Sequence, residues 1–329
     1  MLPFPLRRAC ERTKRGAPRA SHVAVSPEEV DTSADASLER AILDALNSLL
    51  SALELESLGD DRFRVVGELG RFDRVFGGQT VAQALLAASA TVTGKDPHSL
   101  HAYFVEGGAP EEPLDIVVER VRDGRSISTR TVSVTQGERP LLIVSASFHA
   151  NPPDPELAAP APAAPLPEQL PLLQDWVLHT PPELGAHART WVDQPPPLEL
   201  RIGEAPNFLG GAPADGTRAH WMRLPRDVGD DPLLHAALLA YASDYFLLDM
   251  AFRSHPERYA PGFTGFSLDH ALWIHRPVRF DRWHLHTQET LAISGHRGLI
   301  RGAIHDIEGH LVASVIQEVL VRPAGTVRQ

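Results

Sequence analysis

Three polar interruptions in otherwise apolar elements carry the chemistry this chain could do. Ser267, Asp269 and His270 sit together in the stretch Thr264–Pro277 (TGFSLDHALWIHRP), whose Phe266, Leu268, Leu272 and Ile274 alternate as in a strand. Asp244 breaks a mostly apolar helix predicted over 233–250, and Gln317 and Glu318 break an apolar strand predicted over 311–321. At helical spacing Asp244 has Ala240, Tyr241, Leu247 and Leu248 as neighbours. A carboxylate there is costly unless hydrogen-bonded, and one that is held and ionised can act as a general base. The Ser267 hydroxyl and the Gln317 amide are groups that position a water or polarise a carbonyl. Each has a plainer reading: Asp244 as the cap of a helix that ends early, Ser267 as a strand-start residue, Gln317 as a solvent-facing one. Their placement on three neighbouring elements favours one shared site.

The elements around them come in two similar sets. After residues 1–45, read as a disordered tail running into an N-terminal helix (Leu38, Ile42, Leu46, Leu49, Leu53), the order is strand, alanine-rich helix, four strands. A Pro/Ala-rich segment over 151–215 reads as a semi-rigid linker. The order then repeats, with ALLA at 84–87 and 237–240 and SL at 99–100 and 267–268. The expected units are 46–150 and 216–325, each a sheet wrapped around one small, apolar helix, paired edge to edge.

Bulk properties exclude several classes. The chain has 329 residues and a net charge of −11, and Lys14 and Lys95 are its only lysines, which argues against a nucleic-acid surface. Cys10 alone permits neither an internal disulfide framework nor a cysteine zinc cage. No apolar run approaches the roughly 20 residues that span a bilayer, and the first residues do not read as a secretory signal, so a cytoplasmic chain without membrane insertion is expected. There is no G-x-S-x-G elbow, phosphate loop or HExxH helix. His284 and His286 share one strand face but lack an evident third metal ligand, so neither a metal nor a cofactor is expected. Sheet edges and faces left open by such units make a homo-oligomer the expected state.

Six motifs then carry a resemblance: RVFGGQTVAQAL (74–85), HSLHAYFVEGG (98–108), RDGRSISTR (122–130), AYASD (240–244), SLDHALWIHRP (267–277) and VASVIQEVLV (312–321). Over residues 46–325 the chain resembles the acyl-CoA thioesterase II family. That resemblance implies an α+β double hot-dog fold and hydrolysis of fatty acyl-CoA to fatty acid and CoA. It implies Asp244, Ser267 and Gln317 as the catalytic network in the second unit, with serine where many members carry threonine. Gly77, Gly78 and Gln79, matching the helix-opening turn, together with Arg125 and His270, are the residues expected to touch the acyl-CoA. Arg122, Arg297 and Arg301 are further candidates for the CoA phosphates. Two rivals use the same scaffold: a silent acyl-CoA-binding protein, and an enoyl-CoA hydratase or dehydratase with Asp269, His270 or His101 as its acid–base pair.

Overall fold

The computed structural model describes residues 32–68, 74–150, 157–255 and 263–323. Residues 1–31 of the expected tail lie outside these. The first helix, α1 (Thr32–Ala52), buries Ile42, Leu46, Leu49 and Ala52 at spacings of three or four, the stripe that makes an amphipathic helix pack.

The first unit continues with β1 (Glu56–Gly59), β2 (Arg62–Val65), α2 (Gly77–Ser89), β3 (Asp96–Phe104), β4 (Leu114–Asp123), β5 (Ile127–Gln136) and β6 (Arg139–His149). The second contains β7 (Glu199–Ile202), β8 (Arg218–Arg223), α4 (Pro232–Ser243), α5 (Leu247–Met250), β9 (Phe263–Ser267), β10 (Asp269–Ile274), β11 (His284–Ser294), β12 (Arg297–Asp306) and β13 (Leu311–Pro323), with α3 (Gly185–Asp193) between the units. The strands form one antiparallel sheet in the order β1-β2-β4-β5-β6-β3-β10-β13-β12-β11-β8-β7, with β9 beside β13. Reading outward from the β3–β10 seam, the two halves list equivalent strands in the same order, as an internal duplication requires. The seam pairs Leu100 with Leu272 and Ala102 with His270. This is the double hot-dog, α+β architecture.

The two central helices pack against each other inside the sheet. Gly78 explains how closely: a Cβ there would lie 2.3 Å from the Tyr241 carbonyl oxygen, so a residue with a side chain would force α2 and α4 apart. The N-terminus of α2 therefore abuts the C-terminus of α4.

Two expectations change in detail. The single strand predicted over 266–275 is broken at Leu268 into β9 and β10. Ser267 pairs with Val319 and Ala271 with Ile316, so three residues oppose two, a β-bulge of the kind that re-aims a side chain. The Glu318 N–H exposed by the break donates to Asp269 Oδ1 at 2.7 Å. The Pro/Ala-rich segment is also more than a spacer. It adds β7 to the sheet edge, and Trp176 and Trp221 stitch it down by donating to Ile202 O at 3.0 Å and Pro165 O at 2.8 Å.

The RDGRSISTR motif has a structural use. Arg130 is fully buried and donates to Asp123 Oδ1 at 2.7 Å, Thr91 Oγ1 at 2.7 Å and the carbonyls of Thr91, Arg122 and Thr129 at 3.0 Å, locking the β4–β5 hairpin onto the end of α2. Among the described residues no helix is long and apolar enough to cross a membrane.

Candidate active site

Asp244 is the C-cap residue of α4, so the capping reading and the chemical one describe the same side chain. It is buried, and its Oδ2 accepts from the Gly78 N–H at 2.9 Å. That N–H is one of the orphan donors of the first turn of α2, whose N-cap Phe76 supplies no side-chain acceptor. The carboxylate of one helix end thus completes the other, and the positive pole of α2 faces its charge. Gly77 is part of the same fit, since a Cβ there would lie 2.8 Å from Asp244 Oδ2.

Asp244, Gly77 and Ser267 open onto one cleft of about 560 Å³. Its lining is largely apolar, from Phe76 and Phe104 on the first unit and Tyr245, Phe246 and Phe266 on the second. Trp191 on α3 and Phe208 of the inter-unit segment add a wall: Trp191 stacks on Phe208 with centroids 4.5 Å apart, and Phe208 stacks on Phe246 at 6.1 Å. Two aromatic residues of the β3–β10 seam stay out of the cleft: Tyr103 is exposed and Trp273 packs edge-on against His101.

Gln317 is completely buried on β13 and lies behind Ser267 rather than in the cleft. Its Nε2 donates to Ser267 Oγ at 2.7 Å, and its Oε1 is 2.5 Å from His270 Nδ1. His270 Nε2 in turn is 2.9 Å from Ser243 Oγ, which lies 2.8 Å from the Ala240 carbonyl. A continuous buried hydrogen-bonded chain therefore runs from α4 to the cleft.

The residues expected to touch substrate divide. Gly77 lines the cleft and Gly78 reaches it through Asp244, but Gln79 is buried the other way, its Oε1 accepting from the Glu68 N–H at 2.9 Å. His270 belongs to the buried chain. Arg125 is exposed in the β4–β5 turn, away from the cleft, and Arg297 and Arg301 are paired with Glu318 and Glu289. The arginine at the cleft is Arg74, whose Cδ lies 2.9 Å from where a Cβ on Gly107 would stand, and nothing in the sequence distinguishes it from its neighbours. Asp269 and His270, adjacent on a strand, point to opposite faces and form no acid–base pair. Burial pushes the Asp269 carboxyl up, and the Glu318 N–H opposes that.

Phe246 has a left-handed backbone (φ 64°), unusual for a bulky residue, and it redirects the chain just past Asp244. Buried Arg218 braces it, donating to Phe246 O at 3.1 Å and to Asp249 Oδ2 at 2.6 Å. Asp249 also accepts from Asn207 Nδ2 at 2.9 Å and from the N–H groups of Asn207 and Phe208, which fastens the aromatic wall to α5.

Beneath this turn His286 and His220 meet across β11 and β8 with rings 5.1 Å apart. His284, two positions along, instead lies against Phe280 and bonds Arg282 O. Burial first, then the neighbouring His270 and Arg218, pull His286 from 6.5 to about 3, and burial pulls His220 well below its usual range. The folded protein refuses protons that the unfolded chain accepts, so stability is complete above pH 6.5 and declines as pH falls toward 3. At pH 5.5 the His286 contribution is about 1.4 kcal/mol. Urea midpoints at pH 7.5 and 5.5 should differ less for His286→Phe than for wild type.

Comparison with known proteins agrees with this architecture. Residues 67–149 match the acyl-CoA thioesterase N-terminal domain and residues 161–321 the acyl-CoA thioesterase C-terminal domain. The chain is 34% identical over 289 residues to mouse acyl-coenzyme A thioesterase 8, covering 83% of this chain and 88% of that one. It is 33% identical over 285 residues to acyl-CoA thioesterase 2 of Haemophilus influenzae, covering 85% and 98%. Among solved structures, acyl-CoA thioesterase II TesB2 from Mycobacterium marinum superposes with a TM-score of 0.70 at 33% identity, covering 85% of this chain and all of that one. The chain belongs to the acyl-CoA thioesterase II family.

Proposed function

We propose that this protein hydrolyses fatty acyl-CoA by direct attack of water in the Asp244–Ser267 cleft. The observation that carries the reading is a buried carboxylate, fixed on one oxygen by the Gly78 N–H, at the head of an apolar cleft that it shares with a hydroxyl. Asp244 takes the proton of a water whose oxygen adds to the thioester carbonyl. Ser267, held from behind by Gln317, orients that water by donating or accepting a hydrogen bond. The free N–H end of α2 at Gly77, rather than the buried Gln317 amide, faces the developing oxyanion. Collapse of the tetrahedral adduct expels the CoA thiolate, which recovers a proton. Gln317 is then a positioning residue.

The aromatic wall takes the acyl chain, and Arg74 offers its guanidinium to the CoA phosphates. CoA release from a series of saturated acyl-CoAs tests the assignment. Each methylene that enters the cleft should raise kcat/KM about fourfold, the equivalent of about 0.8 kcal/mol, until the chain meets Trp191. Trp191→Ala should move that break to longer chains without changing kcat on short ones. Acyl-CoA binding without CoA release would reduce the protein to a binder.

A further inference from the structure

We propose that His270 is a positioning residue that fixes which way the Gln317 amide faces, and thereby whether Ser267 presents a free O–H to the cleft; this rests on the hydrolytic reading above. The amide has two orientations. With its NH₂ toward Ser267, it occupies an acceptor site on Oγ and leaves the serine hydrogen to donate into the cleft. Reversed, its carbonyl would draw that hydrogen inward, and Ser267 could offer only lone pairs.

The choice is made behind Gln317. Its Oε1 faces His270 Nδ1 at 2.5 Å, and an amide oxygen only accepts, so Nδ1 must carry a proton. Two arrangements satisfy this. The neutral ring protonated at Nδ1 accepts at Nε2 from the Ser243 O–H, 2.9 Å away; the imidazolium donates at Nε2 while Ser243 donates to Ala240 O at 2.8 Å. Only the neutral ring protonated at Nε2 reverses the amide. Every member of the chain behind Ser267 is buried (Ser243 and Gln317 at 0% exposed, His270 at 1%), where a mismatched donor or acceptor has no water to turn to. The polarity is therefore propagated from α4 to the cleft, although neither His270 nor Ser243 lines it.

This accounts for the sequence pattern as well. His270 lies two residues past the break at Leu268, so one inserted residue aims Ser267 at the cleft and His270 at the amide behind it.

The test compares substitutions that keep or remove the Nδ1–H. Asparagine places an N–H near the Nδ1 position; glutamine reaches toward Ser243 instead; leucine fills the volume without a donor. His270→Leu should lower kcat by about tenfold to a hundredfold with KM little changed, and His270→Asn should restore most of the loss where His270→Gln does not. Because His270 works through Gln317, adding His270→Leu to Gln317→Leu should cost nothing more, whereas a purely structural role would give losses that multiply. Should the leucine variant fail to fold, the polar Asn and Gln pair still decides: equal activities overturn the proposal. Wild-type kcat in His270→Leu overturns it too. Turnover is not the only readout, and so failure of the thioesterase reading is separable: in ¹⁵N-histidine spectra of the wild type, the His270 ring, assigned by its loss in His270→Asn, should show a proton on Nδ1. A proton on Nε2 alone would contradict the proposal whatever the reaction.

Discussion

Asp244→Asn should lower CoA release by about a hundredfold to ten-thousandfold at nearly constant KM. Asparagine keeps the shape of the side chain and an oxygen that can accept from the Gly78 N–H, so the α2–α4 junction survives and the cleft is unchanged. What it lacks is a site for the water proton. Asp244→Ala would also leave that N–H without its acceptor, and should lose stability as well as rate. Steady-state kinetics with a thiol reagent, read beside thermal melts, separates the two effects: the Asn variant melts near wild type and fails to turn over.

The largest effect on stability is expected at Arg218. Its ion pair with Asp249 is buried on both sides, at 1% and 4% exposure. Removing the arginine leaves a carboxylate with two amide N–H groups and the Asn207 side chain but no countercharge, and it releases the carbonyl of Phe246 at a backbone conformation that needs support. Arg218→Met should cost about 3–5 kcal/mol in urea unfolding. The cause is the stranded charge, so Asp249→Asn in the same chain should recover part of the loss. Since Asp249 holds Phe208, long-chain substrates should be affected more than short ones.

How far the site could be read from residues alone depended on how local each signal was. Asp244 was legible because a carboxylate in AALLAYASD contradicts its own helix, and Ser267 because polar residues cluster in a strand. Their joint opening onto the cleft follows from the break at Leu268, a single extra residue that alternation does not reveal. The duplication was visible in letters, and the strand order around the β3–β10 seam is what such a repeat makes when it pairs edge to edge. Trp191 and Phe208 were hidden because their partner Phe246 lies 38 positions beyond Phe208, and a Pro/Ala-rich composition reports stiffness, not destination. Arginines are equally opaque: Arg125 follows Gly124 and Arg74 lies three residues before Gly77, but of the two only Arg74 borders the cleft. Gln79, read as part of a substrate turn, spends its amide on the backbone of Glu68.

In the proposed mechanism water, activated by Asp244, attacks the thioester without an acyl-enzyme. A single turnover of stoichiometric acyl-CoA in H₂¹⁸O, followed by mass spectrometry of the fatty acid and of the peptide containing Asp244, tests it. The prediction is one ¹⁸O in the fatty acid and none in the peptide. Label in the Asp244 carboxylate with an unlabelled fatty acid would show that the carboxylate itself attacks, and would contradict the role assigned to it.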